Sequence, residues 1–569
     1  MIRSWRSSKS DGLDKNVTTP KETSSNDITA KSSSTPTTAL TTPKTTEITE
    51  AANTVVIDEG RTCENESKPN KAGLFSRLYH HLVAFGRFVG PGSLIAVAYI
   101  DPGNYSTDIS AGAAYQFQLL FVVLASNLFA ILLQCLAVKL GTVTGLNLAE
   151  ACRAFLPKWL NYFLYILAEA AIIATDIAEV IGTAIALNLL IPAIPPVAGC
   201  ALSILDVFLI LLFYRPSGPM TGLRVFEVFV TGLVLAVVIC FSIQLSLIHH
   251  DTVNAAAKVF RGYLPSGVIT KSNGLYQACG ILGATVMPHS LYLGSGMVQS
   301  RLKVFDTEKG LLPPDDDGND GGWEDKKTGM KLKFYIPSLA AVRHSLKYSY
   351  AELTLCLTTF ALFVNSAILI VAGASLYQNP SAPSADIFGI HTLLSSSIGY
   401  SAGVIFALAL LFSGVSAGVV CTIAGQMICE GAINWHMQPW LRRLVTRSIA
   451  ITPSIIIAGA VGREGLNDAL NGTQVVLSIV LPFVSAPLIW FTCRDKHMGT
   501  RSGPARLRVS KNASEEGDGD GDEETATANP TGAVVKMANS WFVAVSAVII
   551  WLIIVILNIA NLVFLGIQP

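Results

Sequence analysis

Charge is scarce in this chain. Only 14% of its 569 residues are Asp, Glu, Lys or Arg, against 51% hydrophobic, and mean hydropathy is +0.49. A soluble enzyme needs a far more polar surface, so the balance indicates a membrane protein. Net charge is formally zero, which gives no electrostatic footprint for nucleic acid. The ten cysteines include no CxxC pair. Most lie in apolar stretches (Cys135, Cys240, Cys279, Cys356, Cys421) and read as small buried residues, not as a zinc site or a disulfide framework. The first 25 residues, opening MIRSWRSSKSDGLDKN, hold no apolar core region, and no cleaved signal peptide is expected.

What the chain has instead is a series of apolar runs long enough to span a bilayer. They lie at 81–112, 117–143, 160–190, 197–214, 223–249, 274–302, 343–375, 399–430, 440–461, 468–493 and 539–566, about eleven spans of an all-α membrane protein. Residues 1–75 are rich in Ser, Thr, Lys and Asp and read as a disordered tail. Loops 303–335, with Asp315-Asp316-Asp317, and 494–537, with SEEGDGDGDEET, read as disordered and solvated. Asp315–Asp320 lacks the complete EF-hand pattern and is no calcium site. A transport core at 76–493 is followed by an additional span within 538–569. Loops after even-numbered spans carry Lys158, Arg215, Arg301, Lys303, Lys326, Lys327, Arg442, Arg443, Arg494, Arg501, Arg506 and Arg508, whereas those after odd-numbered spans are nearly bare, apart from Lys258, Arg261 and Lys271. The positive-inside rule then places the N-terminus in the cytosol.

Two spans are interrupted by proline. The first reads Asp101-Pro102-Gly103-Asn104 and the second Met287-Pro288-His289. Proline lacks the backbone donor and clashes with the preceding turn, so each helix should unwind there. Unwound backbone at membrane depth survives only where it is buried in protein or lines a wet cavity. Breaks that open each of two five-span halves point to an inverted repeat with substrate held between them. Asp101 reads as a cation ligand or as the N-cap of the following half-helix, and Asn104 carries the same two readings. Its sequon with Ser106 is formal only at this depth. Met287 is a soft thioether that favours a transition metal over calcium or magnesium, or else a flexible core filler. The unwound backbone at Ala284 frees a carbonyl for the same shell. His289 reads as ligand, proton acceptor or packed core residue.

Span 3 carries Glu169, Asp176 and Glu179 on one helical face. Carboxylates at this depth suggest a proton pathway, compatible with salt bridges to Arg442, Arg443 or Arg447 at the start of span 9.

DPGN in span 1 and MPH in span 6 resemble the Nramp family of divalent transition-metal/proton symporters. TDIAEVIG (Thr175–Gly182), LFVNSAILI (Leu362–Ile370), AGQMICEG (Ala424–Gly431), LRRLVTRSIAI (Leu441–Ile451) and TQVVLSIVLPF (Thr473–Phe483) extend the likeness over roughly 80–493 in the family's order; the long tail and loops resemble a fungal manganese/iron transporter. The resemblance implies a leucine-transporter-like fold with helices 1 and 6 broken. It implies metal held by Asp101, Asn104, Met287 and the Ala284 carbonyl, with Gln474 and the Ala98 carbonyl joining in some states. It implies proton handling by Asp101, His289, Glu169, Asp176 and Glu179 with Arg447, and a gating role for Asn365. One departure is Val415, where the family commonly has Gln, which bears on coupling or helix packing.

The function expected is proton-coupled import of Mn2+ or Fe2+, with metal ions, protons and the bilayer as partners and no resident cofactor. A sodium-coupled amino-acid or amine symporter of the same fold would offer half-helix N-termini to a carboxylate and have little use for Asp101 with Met287. A metal sensor or metalloenzyme would favour a permanently occupied site richer in His or Cys. The chain is read as no enzyme, in the plasma membrane or an endomembrane such as the vacuole.

Overall fold

The computed structural model describes residues 90–205, 220–248, 255–312, 333–377, 379, 381–382, 385–433, 439–509 and 533–567. The tail at 1–75 and the acidic runs Asp315–Asp317 and SEEGDGDGDEET lie outside them.

The first crossing is broken as its proline requires. Helix α1 (Pro91–Val97) stops, four residues run without helix, and α2 (Pro102–Tyr115) begins. Helix α3 (Leu120–Thr144) ends on Gly145, whose φ of 70° suits a residue without a side chain. Helix α4 (Leu148–Phe155) opens with a capping box, Asn147 accepting from Glu150 N at 2.9 Å and Glu150 from Asn147 N at 2.7 Å. Helix α5 (Lys158–Leu190) crosses next, followed by α6 (Pro196–Leu202), with the rest of the expected fourth span outside the described residues. Helix α7 (Met220–Leu247) crosses, and α8 (Ala255–Gly262) is short and amphipathic.

The sixth crossing repeats the break, with α9 (Ser272–Thr285) and α10 (Pro288–Glu308). Helix α11 (Leu339–Cys356) passes through a π turn (Leu357–Ala361) into α12 (Leu362–Ser375), one continuous crossing. Helix α13 (Ile387–Ser397) is capped by Asp386, which accepts from Gly389 N at 2.7 Å. Helices α14 (Tyr400–Ile433), α15 (Pro439–Ala460), α16 (Arg463–Thr492) and α17 (Trp541–Ile567) complete the chain. Seven described helices are long and apolar enough to cross a membrane; the two broken helices and α15 match three more of the expected crossings, and most of the fourth lies outside the described residues.

The loops are shorter than the sequence suggests. Residues 303–308 continue α10, and strand β1 (Lys333–Ile336) pairs antiparallel with β3 (Arg506–Val509), while β2 (Gly499–Arg501) pairs with β4 (Val534–Lys536). Asp306 anchors this region, accepting from Tyr335 Oη at 2.5 Å and Ser338 N at 3.0 Å.

Small residues let the crossings approach closely. A Cβ at Gly112 would lie 2.6 Å from the Leu369 carbonyl of α12, and one at Gly182 of α5 would overlap the Pro102 ring. Gly141 of α3 presses on the Ser295 carbonyl of α10, backbone that cannot swing aside. Gly141→Ala should therefore lower the detergent Tm and folded yield, since overpacking costs about 1–3 kcal/mol. A variant that melts with the parent would show that these helices part freely.

Candidate functional site

The site grows from the two breaks. At the first, Pro102 has no N–H, so the Ala98 carbonyl loses the donor a continuous helix would supply. Asp101 caps α2, accepting from Gly103 N at 3.1 Å and Asn104 N at 3.2 Å. Asn104 Nδ2 donates to Asp101 Oδ1 at 2.8 Å and to the Tyr99 carbonyl at 3.0 Å. The capping reading of Asp101 thus holds, and it leaves acceptor capacity on the carboxylate for a cation. Neighbouring crossings satisfy the other freed carbonyls: Asn365 Nδ2 of α12 donates to Tyr99 O at 3.1 Å, and Ser413 Oγ of α14 to Ile100 O at 2.6 Å.

At the second break Pro288 likewise deprives the Ala284 carbonyl of its donor. Met287 is fully buried with extended backbone at the head of α10. Its carbonyl accepts from Ser290 Oγ at 2.7 Å, and that hydroxyl lies 2.9 Å from Tyr99 Oη. Gln134 Nε2 of α3 donates to both hydroxyls at 2.8 Å. The two breaks are thereby tied by one buried polar knot.

Helix α16 spans the same two breaks. The Gln474 amide lies against Gly103, so close that a methyl group there would overlap it. A Cβ at Gly283 would come 3.0 Å from the Gln474 carbonyl and 2.9 Å from Ser478 Cβ. Three buried oxygens of this region, Asn104 Oδ1, Asn365 Oδ1 and Gln474 Oε1, have no hydrogen-bond partner. An orphaned acceptor costs about 1–3 kcal/mol, and a cluster of acceptors suits a cation.

From the second break a polar path leads into α5. His289 Nδ1 lies 3.4 Å from Thr175 Oγ1. The adjacent Asp176 meets Arg447 Nη1 at 2.5 Å, and Glu179 Oε2 lies 3.6 Å from the same atom. Arg447 is the largest fully buried side chain described. Cys421 of α14 completes a buried trio with Asp176 and Glu179, with one ligand atom of each within 4.8 Å of the others. Glu169 lies two turns earlier, its oxygens 3.5 and 3.8 Å from Cys429 Sγ. Of the three arginines considered as partners, Arg447 makes the bridges; the side chains of Arg442 and Arg443 lie outside the described residues.

A family profile described as Natural resistance-associated macrophage protein-like matches residues 92–509. The chain belongs to the Nramp family. It is 50% identical over 495 residues to a manganese transporter of Saccharomyces cerevisiae, covering 84% of this chain and 85% of the relative. It is 47% identical to an iron transporter of the same yeast, covering 84% and 95%. The crystal structure of an Eremococcus coleocola manganese transporter matches with a TM-score of 0.63 at 31% identity, over 85% of this chain and 88% of that one. This Nramp chain is a multi-pass membrane transporter and not an enzyme, and its helical fold with two broken crossings matches that of the Eremococcus coleocola transporter.

Sequence reasoning passed over several buried charges of this Nramp protein. Asp108 is fully buried on α2, and neither carboxyl oxygen has a partner. It stands seven residues beyond Asp101, on the same face about 10.5 Å along; that spacing was the available signal. Arg301, counted above among loop cations, is instead buried in α10, with Nη2 at 3.0 and 2.9 Å from the two oxygens of Glu227 in α7. Glu352 of α11 accepts from Gly90 N at 2.5 Å and Gly92 N at 3.0 Å, holding the start of α1.

Proposed function

We propose that this chain is a proton-coupled symporter that carries Mn2+ or Fe2+ into the cytosol by alternating access. The observation that carries the reading is that the two proline breaks are tied through Tyr99, Ser290 and Gln134 and are both approached by Gln474, with unpartnered oxygens on Asn104 and Gln474; at these breaks stand Asp101, Met287 and the proline-freed carbonyls of Ala98 and Ala284. Asp101 supplies the charge, the amides and carbonyls supply neutral oxygens, and Met287 supplies softness. Asn365 holds the first break through Tyr99 and acts as a gate. Protons pass by way of Asp101, His289 and Thr175 to Asp176, Glu179 and Arg447, with Glu169 further along. The yeast relatives named for manganese and iron support this cargo. An amino-acid carboxylate would find a charged carboxyl and a thioether where it needs donors, which disfavours the sodium-coupled reading.

The N-terminus is cytosolic in this proposal, which puts α8 and α13 on the outer side of a plasma or endomembrane. The test is uptake of Mn2+ and Fe2+ into proteoliposomes with and without an inward proton gradient. Acid-driven uptake with proton flux is expected, and uptake indifferent to the gradient would remove the coupling.

Met287 should select by exclusion. A thioether replaces hydration oxygens poorly for Ca2+ or Mg2+ and well for softer metals. Met287→Ala should keep measurable Mn2+ uptake, bind Cd2+ less well, and become permeable to or inhibited by millimolar-range Ca2+. An unchanged Ca2+ response would reduce Met287 to packing.

A further inference from the structure

A cavity of about 220 Å3 opens beside the first break. Its walls include Thr107 and Ser110 of α2, Gln277 of α9, Asn471 and Gln474 of α16, and Asn561 of α17. Among the described residues its polar lining is amide, hydroxyl and thiol, without a carboxylate or a cationic side chain. Two lining oxygens, Gln474 Oε1 and Asn561 Oδ1, have no hydrogen-bond partner, although their residues are only 2% and 4% exposed. Asn471 Oδ1 is already engaged, accepting from Ser106 Oγ at 2.7 Å.

Helix α17 is fixed where it meets this cavity. Cys279 Sγ of α9 donates to the Leu557 carbonyl at 3.3 Å, and Ser478 Oγ of α16 donates to Asn558 Oδ1. One turn further on, Asn561 reaches the cavity wall. The last helix is therefore docked so as to present an amide, in addition to covering the core.

We infer that this cavity is an outer waiting site for a hydrated divalent cation, with Asn561 as one of its contacts. At about 30 Å3 per water, 220 Å3 corresponds to about seven waters, room for a divalent ion with six waters in place. Waters on a divalent ion are strong donors, and the two orphaned amide oxygens are acceptors that lack one. Uncharged walls hold such an ion weakly and release it, as a site on a permeation path requires. Gln474 belongs both to this wall and to the contact with Gly103, so the waiting ion stands next to the break where its waters are exchanged for ligands. Selection against hard ions then falls to Met287, one step later. The direction of travel rests on the transport reading above.

The test uses Mn2+ uptake by the full chain in proteoliposomes, with Mn2+ affinity followed separately by calorimetry. Asn561→Leu keeps the size and removes the oxygen. It should raise the KM for Mn2+ roughly fivefold, the worth of one hydrogen bond, with kcat and calorimetric affinity unchanged. Asn561→Asp places a charge on the same wall; it should lower KM and make uptake sensitive to competition by Mg2+, which keeps its waters. Parent-like KM and Mg2+ response in both variants would overturn the waiting site. A calorimetric loss in Asn561→Leu as deep as that of an Asp101 variant would overturn it too, by merging the two sites. Failure of the unmodified protein to take up Mn2+ would instead count against the transport reading.

Discussion

Asp101→Asn should abolish measurable Mn2+ binding and uptake while the protein stays folded. Asp101 does two things in the structure. Its oxygens cap α2 through Gly103 N and Asn104 N, and they provide the carboxylate at the break where the Ala98 carbonyl lacks its helical donor and Gln474 approaches. Asn is a good cap as well, so this substitution keeps one of the two N–H acceptors of the cap and removes the charge together with the second acceptor. Removing one member of a buried charge pair costs about 3–5 kcal/mol, a loss of more than about a hundredfold in affinity. Asp101→Ala should lose binding equally and also lose the cap, about 0.5–2 kcal/mol of stability. Calorimetry on both variants, with their melting temperatures, separates the roles. Near-native Mn2+ affinity in Asp101→Asn would mean that the carboxylate serves α2 alone and that the metal site lies elsewhere.

The breaks were legible because proline chemistry is local. Pro102 and Pro288 dictate an interruption wherever they fall inside an apolar run, and both interruptions are where they should be. Asp101, Asn104 and Met287 were found by their adjacency to those prolines. Gln474 was not, because its approach to Gly103 joins residues far apart in the chain, and only the family likeness pointed to it. The same limit hid the Glu227–Arg301 pair, whose members are 74 residues apart. Arg301 looked like a loop cation because an apolar run ends near it, while its true environment is set by α7. Asp108 was hidden differently. It has no proline beside it, and a lone carboxyl in an apolar helix draws attention only when its face is compared with that of Asp101. The strand pairs β1–β3 and β2–β4 join segments on either side of loops whose polar composition masked the few residues that pair. Spacing did place Asp176 and Glu179 together, since residues three apart on a helix share a face, and both reach Arg447.

That shared arginine yields the second large effect. Glu179→Gln should abolish most of the acid stimulation of Mn2+ uptake, roughly tenfold or more if a proton carrier is lost, while Mn2+ affinity stays within about twofold of the parent, less than one hydrogen bond is worth. Glu179 belongs to α5, outside the two break segments, beside Arg447 at 3.6 Å and in the buried trio with Asp176 and Cys421. The tighter Arg447–Asp176 contact at 2.5 Å remains in this variant, so the fold should be nearly unaffected. Arg447→Leu is the contrasting case. It strips two buried carboxylates of their cation, and breaking a buried pair in this way costs about 3–5 kcal/mol. That variant should lose proton coupling and melt markedly lower, whereas Glu179→Gln should lose coupling alone. If proton transfer runs from His289 through Thr175 to this group, His289→Ala should reproduce the coupling defect of Glu179→Gln. Uptake across a series of external pH values, with proton flux read by an internal dye, measures all three variants on one scale. A Glu179→Gln protein that keeps its proton flux but no longer binds Mn2+ would reverse the assignment, making the α5 carboxylates the metal site and leaving the breaks as structure.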